Sequence, residues 1–388
     1  MNQSRYGMLN KVSLKHAEGY EYSGLRKAVQ ALLEPLGGIE AFIKPGELVL
    51  LKPNMLSAKH PDAAVTTHPT LVRVVAELVS EAGATVAIGD SPGIGGFEKV
   101  AERTGMTQAA QESGCRLTAF DESIEVLGTG QFRRIAVAKA YWEADKIINL
   151  PKLKTHEMMI MTCAVKNLFG AVVGTEKAGW HLKAGSSRKQ FARLLLDIYL
   201  LKRPVLNIVD AIVAMEGDGP GSGDPVAINA LIAGANSLAV DLAAAQLAGM
   251  PSELLYVQLE AESMGLDGSD INQLEYVGDL LDSFEKRPFR LPKGSDLQFG
   301  LPGFLKNGLK RYLTSQPAVD KELCLLCGIC RDVCPPKVIK IKNSALSIDE
   351  ERCIRCWCCR ELCPHDAMGI KSGRLVKIIK KIRQLRQA

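Results

Sequence analysis

Near its C-terminal end, this chain of 388 residues carries the same cysteine spacing twice. Each run has two gaps of two residues, then a gap of three residues, and a proline directly after the fourth cysteine. The first run consists of Cys324, Cys327, Cys330 and Cys334, and the second consists of Cys353, Cys356, Cys359 and Cys363. Thiolates at this spacing hold the corners of 4Fe–4S clusters. We therefore predict two 4Fe–4S clusters as cofactors and a small α+β module folded around them.

The two runs resemble those of the two-cluster bacterial ferredoxins, in which the fourth cysteine of each run binds the other cluster. On that pattern the first cluster binds Cys324, Cys327, Cys330 and Cys363, and the second binds Cys353, Cys356, Cys359 and Cys334. Structural zinc sites are the alternative, but they place their cysteines as two separated pairs. Cys358 fits neither run. We expect it to be a spare thiol packed beside a cluster, the alternative being an exchangeable ligand.

The other cysteines and the first residues bear on the cellular compartment. Of the 11 cysteines, only Cys115 and Cys163 lie away from the two runs, and two residues do not make a disulfide framework. Residues 1–20 mix polar and charged side chains and lack the apolar core of a secretion signal. A run of about 18 apolar residues, the length of a membrane-spanning helix, does not occur. We expect a cytoplasmic protein without a transmembrane segment.

The positive charge of the chain is concentrated in its last residues. The formal net charge is +5, and seven lysines and arginines follow Asp366 with no acid among them. The rest of the chain therefore carries 5 − 7, or −2, so we expect no nucleic-acid partner. Apolar residues at helical spacing within 372–388 predict a basic amphipathic helix. Such a helix can lie on an anionic membrane surface, dock an acidic redox partner, or cover the cluster module.

Up to about residue 285, short apolar runs alternate with longer segments of helical periodicity. This alternation is typical of an α/β fold with a mostly parallel sheet and flanking helices. The predicted strands are 47–52, 85–89, 146–150, 205–209 and 228–233, and the predicted helices are 69–82, 186–201 and 237–248. Proline and glycine become frequent where the periodicity is lost. We divide the chain into an α/β domain at 1–285, a linker at 286–318, a ferredoxin-type domain at 319–371 and a tail helix at 372–388.

A basic segment follows the third predicted strand. If its backbone is extended, Lys152, Lys154 and His156 point to the same side. Alternate side chains on a strand are roughly 6 to 7 Å apart, so a carboxylate or phosphate can contact two of them. Open parallel sheets bind ligands at this carboxyl end of their strands. The predicted anion ligands here are Lys152, Lys154, Lys166 and Asn167, and a solvated lysine edge is the alternative.

Three further strand ends carry polar residues suited to a site. Lys52 and Asn54 follow the first predicted strand and would reach the same edge of the sheet. Asp90 and Asp210 end two other strands, each with a glycine-rich segment after it. Glycines let backbone N–H groups approach an anion, and acids can bind a metal or donate a proton. The candidate proton donors are Asp90, Asp210 and His156, while plain turns are the alternative for both glycine segments.

These segments together resemble the family called domain of unknown function 362, whose members are often fused to a ferredoxin module. The resemblance is carried by Lys52-Pro-Asn, by Thr67-His-Pro with the helix after it, by Gly89-Asp-Ser-Pro, and by residues 149–170 and 210–220. It extends over most of the chain, and 152–170 is its most specific part. The resemblance implies the architecture and no substrate, because the family has no assigned activity.

These residues together predict an iron–sulfur oxidoreductase. The clusters would relay electrons to a small anionic substrate in the α/β domain, where lysines orient the anion and His156 or an acid supplies protons. A redox partner protein would deliver or accept the electrons. The alternative is an electron-transfer or accessory protein whose large domain docks a partner protein or a metal and catalyses nothing.

Overall fold

The computed structural model of the chain describes residues 10–93, 95–174, 176–185, 187–285, 287–292 and 316–371. The strands of the large domain are β1 (Lys11–His16), β2 (Leu48–Pro53), β3 (Thr85–Asp90), β4 (Arg116–Ala119), β5 (Ser123–Leu127), β6 (Arg134–Ala138), β7 (Lys146–Leu150), β8 (Lys152–His156), β9 (Ile160–Thr162), β10 (Leu206–Glu216), β11 (Asp224–Gly234) and β12 (Glu275–Gly278). Its α-helices are α1 (Tyr22–Leu33), α2 (Pro69–Glu81), α3 (Phe97–Arg103), α4 (Met106–Glu112), α5 (Lys139–Glu143), α6 (Ala164–Asn167), α7 (Glu176–Ala184), α8 (Arg188–Leu201), α9 (Ser237–Leu247) and α10 (Tyr256–Ser263). The C-terminal module adds β13 (Gln316–Val319), α11 (Ile329–Asp332), β14 (Ile339–Lys342), β15 (Ala345–Ile348), α12 (Cys358–Glu361) and β16 (Met368–Lys371).

Ten strands of the large domain form one mostly parallel sheet. Its order is β12-β1-β11-β10-β7-β2-β3-β4, with β8 paired to β10 and β9 paired to β8. The strands from β10 to β4 in this order pair in parallel, as do β1 and β12, whereas β11 is antiparallel to both neighbours. Parallel pairs need crossover connections, and helices supply them. The predicted α/β class is therefore confirmed.

The helix α2 illustrates how local sequence sets these elements. Pro69 occupies the first turn, and the His68 ring caps the helix by accepting a 3.3 Å hydrogen bond from the Thr70 N–H. The apolar residues at helical spacing are all buried: Leu71, Val74, Val75, Leu78 and Val79. Gly83 follows with a φ of 85°, a conformation that only glycine adopts freely. The three predicted helices are confirmed as α2, α8 and α9.

The five predicted strands are also present, but two are longer than expected. β10 and β11 have 11 residues each and pair with each other antiparallel. β10 therefore continues past Asp210 to Glu216, and the prediction that Asp210 ends its strand is wrong. An acid in mid-strand is tolerated because its carboxylate has buried partners, as described below. The glycine-rich turn therefore follows Glu216 and not Asp210.

The segment after β7 is extended, as the alternation of its basic residues required. β8 pairs in parallel with β10 and antiparallel with β9. All five residues of β8 are buried, although three of them are basic. The alternative of a solvated lysine edge is therefore wrong, because no lysine of this strand faces solvent.

The C-terminal module is a small α+β unit that packs on the large domain. β13 pairs with β16 and β14 pairs with β15, both antiparallel. Trp357 of the module is 5% exposed and belongs to the same apolar cluster as Phe191 and Leu195 of α8. Most of the predicted linker and the whole tail helix lie outside the described residues, so the domain boundaries remain predictions. Among the described helices, none has both the length and the apolar character needed to cross a membrane.

Candidate functional site

A buried ion pair joins the ends of β2 and β3. The Nζ atom of Lys52 lies 2.8 Å from Oδ1 of Asp90. Asp90 also accepts a 2.8 Å hydrogen bond from the Met55 N–H. Gly170 leaves the space for this pair, since a Cβ there would lie 2.1 Å from Asp90 Oδ1 and 2.5 Å from Lys52 Nζ. Burial lowers the pKa of Lys52, and Asp90 partly offsets that effect.

A second buried cluster joins β8 to β10. Lys152 Nζ donates to Asp210 Oδ2 at 2.9 Å and to the Tyr20 hydroxyl at 3.1 Å. The Tyr20 hydroxyl donates to Asp210 Oδ1 at 2.7 Å, and the His68 N–H donates to Oδ2 at 2.9 Å. The rings of Tyr20 and His68 stack 3.7 Å apart. Both carboxylate oxygens of Asp210 thus have partners inside the protein, which suits a structural role.

Side-chain amides form a network that holds Lys154. Its Nζ donates to Asn54 Oδ1 at 2.9 Å and to the Val65 carbonyl at 2.5 Å. Asn54 Nδ2 donates to Asn167 Oδ1 at 2.9 Å, and Asn167 Nδ2 donates to Asn149 Oδ1 at 2.8 Å. The network fixes the direction of each amide, so Lys154, Asn54 and Asn167 are oriented before any ligand binds.

His156 turns toward the C-terminal module. Its Nδ1 accepts hydrogen bonds from the N–H groups of Met158 and Met159, at 3.0 and 3.1 Å. The proton of the neutral ring is therefore on Nε2, which lies 2.9 Å from Oε1 of Glu361. Burial lowers the pKa of His156 to about 4. Burial would raise the pKa of Glu361, but His156 and Lys166 outweigh it and the pKa falls to about 2. A neutral imidazole thus faces a carboxylate.

Arg360 is the main polar link between the module and the large domain. Its Nη1 lies 2.5 Å from Glu157 Oε2, and its Nη2 lies 2.9 Å from Asp218 Oδ2. Arg360 is 9% exposed and Glu157 only 1%. Burial raises the pKa of Glu157 to about 7, although Arg360 opposes the effect. At the rim, Ser222 donates a hydrogen bond to Asp366. The module is therefore docked through buried as well as exposed contacts.

A cavity of about 560 Å³ lies between the large domain and the module. The polar lining from the large domain includes Asn54, Asp90, Thr162, Lys154, Lys166, Asn167, Lys177 and His181, and the lining from the module includes Cys334, Cys358 and Glu361. The volume is in the range of sites that bind small organic ligands. The cavity thus brings lysines at the carboxyl edge of the sheet next to cysteines of the module.

Burial lowers the pKa values of three lysines that line the cavity. Burial holds the pKa of Lys154 well below its ordinary value, and Lys166 lowers it further. Burial also lowers the pKa of Lys166, while Glu361 opposes the effect. For Lys177, burial lowers the pKa to about 8. Lys166 and Lys177 are half-buried and both line the cavity. An anion placed among these ammonium groups would favour their charged forms.

The thiols of each predicted ligand set lie near one another. Charge interactions link Cys330 with Cys363, Cys327 and Cys324. Similar interactions link Cys353 with Cys356 and Cys334, and Cys359 with Cys356, Cys353, Cys334 and Cys330. In the part of the chain that the structure describes, no three His, Cys, Asp or Glu side chains converge on a single-ion site. Cys330 and Cys359 belong to different predicted sets and also interact, so the two sets are close to each other and the assignment of ligands to each cluster stays a prediction.

Cys358 differs from the cysteines around it. It is buried, interacts with Cys356, and lines the cavity. Cys327 is exposed, whereas Cys353, Cys356, Cys359 and Cys334 are buried. The predicted ligand set with Cys353 is therefore wholly buried and reaches the cavity through Cys334, whereas the predicted set with Cys327 combines exposed and buried thiols.

The structure brings only part of the predicted residues to the cavity. Those that line it are Asn54, Asp90, Lys154, Lys166 and Asn167. Lys52 lies directly behind Asp90, and His156 lies behind the lining residue Glu361. Lys152 and Asp210 make their buried contact with each other, away from the cavity lining. Sequence reasoning missed Lys177, Arg360 and Glu361. Arg360 and Glu361 stand between two cysteines of the second run, and charged residues in that place were an available signal.

Comparison with protein families supports both parts of this description. The model of a family described as domain of unknown function (DUF362) matches residues 49–246. The chain belongs to the DUF362 family. In this DUF362 protein, residues 316–364 match the model of a 4Fe–4S dicluster domain. The C-terminal module is therefore a ferredoxin-type 4Fe–4S domain, and iron–sulfur is confirmed over the zinc alternative.

Two individual proteins are similar to this DUF362 protein. The thylakoid-associated protein sll1697 of Synechocystis sp. is 35% identical over 309 residues, which are 79% of this chain and 95% of the relative. The structure of the lactate racemase apoprotein from Thermoanaerobacterium thermosaccharolyticum aligns with a TM-score of 0.38 and 13% identity. That alignment covers 62% of this chain and 57% of the racemase, so the chain matches little more than half of that protein's length.

Proposed function

We propose that this protein is an iron–sulfur reductase that passes electrons through two 4Fe–4S clusters to a small anion bound in the cavity. One observation carries the proposal. The same cavity is lined by Lys154 and Lys166 of the large domain and by Cys334 and Cys358 of the ferredoxin-type domain. Electron transfer is efficient only over short distances. A cavity lined by both the large domain and the ferredoxin-type domain would place a bound anion a short distance from a cluster.

The two predicted ligand sets are part of the proposal. One cluster would be held by Cys324, Cys327, Cys330 and Cys363, and the other by Cys353, Cys356, Cys359 and Cys334. The mutual proximity of the thiols within each set supports this pairing. When bound, the clusters would supply and accept single electrons.

The residues of the large domain would bind and orient the anion. Lys154 and Lys166 supply positive charge, and the Asn54 amide offers its second N–H in a fixed direction. Asn167 would hold Asn54 in place, because both N–H groups of the Asn167 amide already donate, to Asn149 Oδ1 and to the Lys52 carbonyl. Asp90 lines the cavity and contacts Lys52, so this pair is the candidate route for a proton to the bound anion.

The other predicted residues would hold the site in place. Lys152 and Asp210 fasten β8 to β10, and His156 joins β8 to the ferredoxin-type domain through Glu361. We therefore assign them positioning roles and do not assign them direct contact with the substrate.

A second candidate function is electron transfer to a partner protein without catalysis. The outer surface of the ferredoxin-type domain favours it, because Cys327 is exposed and Leu325, which follows Cys324, is 69% exposed. An exposed apolar residue beside a cluster ligand suits a transient redox contact. In the reductase, the same surface would receive electrons from a redox partner, so the two functions differ only in what happens at the cavity.

The predicted location of the protein is the cytoplasm, and contact with a membrane surface is one of the alternatives for its basic tail. The relative from Synechocystis sp. is named for its association with the thylakoid, and the basic tail at 372–388 has the composition of a helix that lies on an anionic membrane surface. We propose such a contact for the tail. Cosedimentation of the full chain with anionic vesicles, compared with a chain ending at residue 371, tests this.

The reductase proposal is tested on anaerobically purified full-length protein. Two clusters require about eight irons per chain. The chemically reduced protein is then mixed with fractions of cell metabolites, and reoxidation of the clusters is followed by absorbance and EPR. A fraction that reoxidises the wild type, but not a Lys154→Met variant with the same iron content, supports the reductase. Equal reoxidation of both proteins, or reoxidation by no fraction, favours the electron carrier.

A further inference from the structure

Two lysines at the cavity have no carboxylate partner. Lys166 and Lys177 line the cavity, and neither forms an ion pair within the described residues, since Lys177 donates only to the carbonyls of Ser91 and Pro92. The carboxylate of Asp90 in the same lining is already paired with Lys52. A half-buried ammonium group without a counter-charge is stabilised by a ligand of opposite charge. Two such groups suit two negative charges better than one.

Two hydrogen-bonding side chains at the cavity have no partner. The hydroxyl of Thr162 and Nδ1 of His181 are both buried, and neither makes a hydrogen bond within the described residues. Thr162 is 2% exposed and His181 is 6% exposed, and both line the cavity. Buried polar atoms are nearly always paired, so these two indicate a ligand that brings oxygen or hydroxyl groups.

The rest of the lining is apolar. The side chains that form it are Leu56, Phe169, Leu182, Val333 and Leu362. A bare inorganic ion would leave this wall without contact and fill little of the 560 Å³. The apolar wall therefore indicates a ligand with a hydrocarbon or aromatic body.

We propose that the cavity binds an organic dianion with an apolar body, either a dicarboxylate or a phosphate monoester. The lysines hold its two negative charges, Thr162 and His181 complete its hydrogen bonds, and Phe169 and the leucines cover its body. This inference rests on the proposed function only in taking the cavity as the substrate site. It concerns binding alone, so it can fail while electron transfer to some other anion stands.

The test compares probes that differ by one charge at nearly constant shape. Phthalate is compared with its half-amide, and phenyl phosphate with methyl phenyl phosphate. Binding to the anaerobic, cluster-loaded full chain is measured by calorimetry. We expect at least one dianion to bind about tenfold or more tightly than its matched monoanion, since the second charge meets an uncompensated ammonium group. The dianion that binds more tightly shows whether the ligand is a dicarboxylate or a phosphate monoester.

Variants connect the charge preference to the cavity. Lys166→Met keeps most of the side-chain length and should reduce the preference for the dianion, whereas Lys189→Met removes an exposed charge on α8 and should not. Equal affinity for the dianion and its monoanion would overturn the dianion class and leave the reductase intact. Failure of all four probes to bind would also overturn the dianion class. The reductase function would then be decided separately, by whether metabolite fractions reoxidise the reduced clusters. A preference that Lys166→Met leaves unchanged would also overturn the assignment.

Discussion

Replacing Lys52 with methionine tests whether its buried pair with Asp90 stabilises the edge of the sheet at the cavity. Methionine retains most of the volume but leaves Asp90, which is 3% exposed, without its cation. Removing one partner of a buried ion pair costs about 3 to 5 kcal/mol. Asp90 keeps its hydrogen bond from the Met55 N–H and borders the cavity, where water can reach it. We therefore expect the low end of the range, about 3 kcal/mol.

Native-state hydrogen exchange of β2 and β3 in the anaerobic full chain measures this loss. A free-energy difference of about 1.4 kcal/mol corresponds to a factor of ten in an equilibrium constant. A loss of about 3 kcal/mol should therefore make the hydrogen exchange that requires opening of β2 and β3 about 100-fold faster. The control is Lys11→Met, which removes a 3.4 Å pair with the exposed Glu275 and should change exchange less than about tenfold. In Lys52→Met with Asp90→Asn, no buried charge is stranded, and much of the protection should return. Exchange in Lys52→Met no faster than in Lys11→Met would show that the buried pair does not stabilise this edge of the sheet.

Three further predictions concern the cavity and the ferredoxin-type domain. Burial lowers the pKa of Lys177 to about 8 in the presence of Asp90, Lys52 and Lys166, so its ammonium is present below pH 8 and lost above it. The affinity for phenyl phosphate, measured by calorimetry, should therefore fall by up to about tenfold per pH unit above pH 8. Lys177→Met should abolish this pH dependence. Glu157→Gln removes part of the negative charge that compensates buried Arg360. Hydrogen exchange in α12 should therefore become at least about tenfold faster. The control is Glu125→Gln, which removes one charge of an exposed ion pair and should not make exchange in α12 faster. Cys358→Ser should retain about eight irons by chemical analysis, because its thiol is an extra one, and loss of four irons would show that it is a ligand.

The sequence predicted the fold well where local signals and burial agree. The bounds of α2 were predictable because the proline in its first turn, the glycine after the helix and the spacing of its apolar residues each follow from a local requirement of the backbone. The cysteine runs are strong because a cluster requires fixed numbers and spacings of thiolates. Asp210 was misplaced because an isolated acid normally ends a buried strand, and its partners Lys152 and Tyr20 are distant in sequence.

The candidate site was harder to predict because it is formed between two domains. Residues of β2, β3 and the β8 region meet at one sheet edge, which topology rules anticipate. The other wall of the cavity comes from the ferredoxin-type domain, and no sequence spacing gives the way it docks. Arg360 and Glu361 take on their roles only through contact with Glu157, Asp218 and His156.

The proposed function requires that an anion in the cavity lies next to a reduced cluster. Phosphorus ENDOR spectroscopy measures this directly on the reduced full chain with saturating phenyl phosphate. We expect a phosphorus hyperfine coupling to a cluster signal, present in Lys189→Met and weakened in Lys166→Met at the same phosphate concentration. Phenyl phosphate that is bound by calorimetry but gives no phosphorus coupling to either cluster would rule out this arrangement.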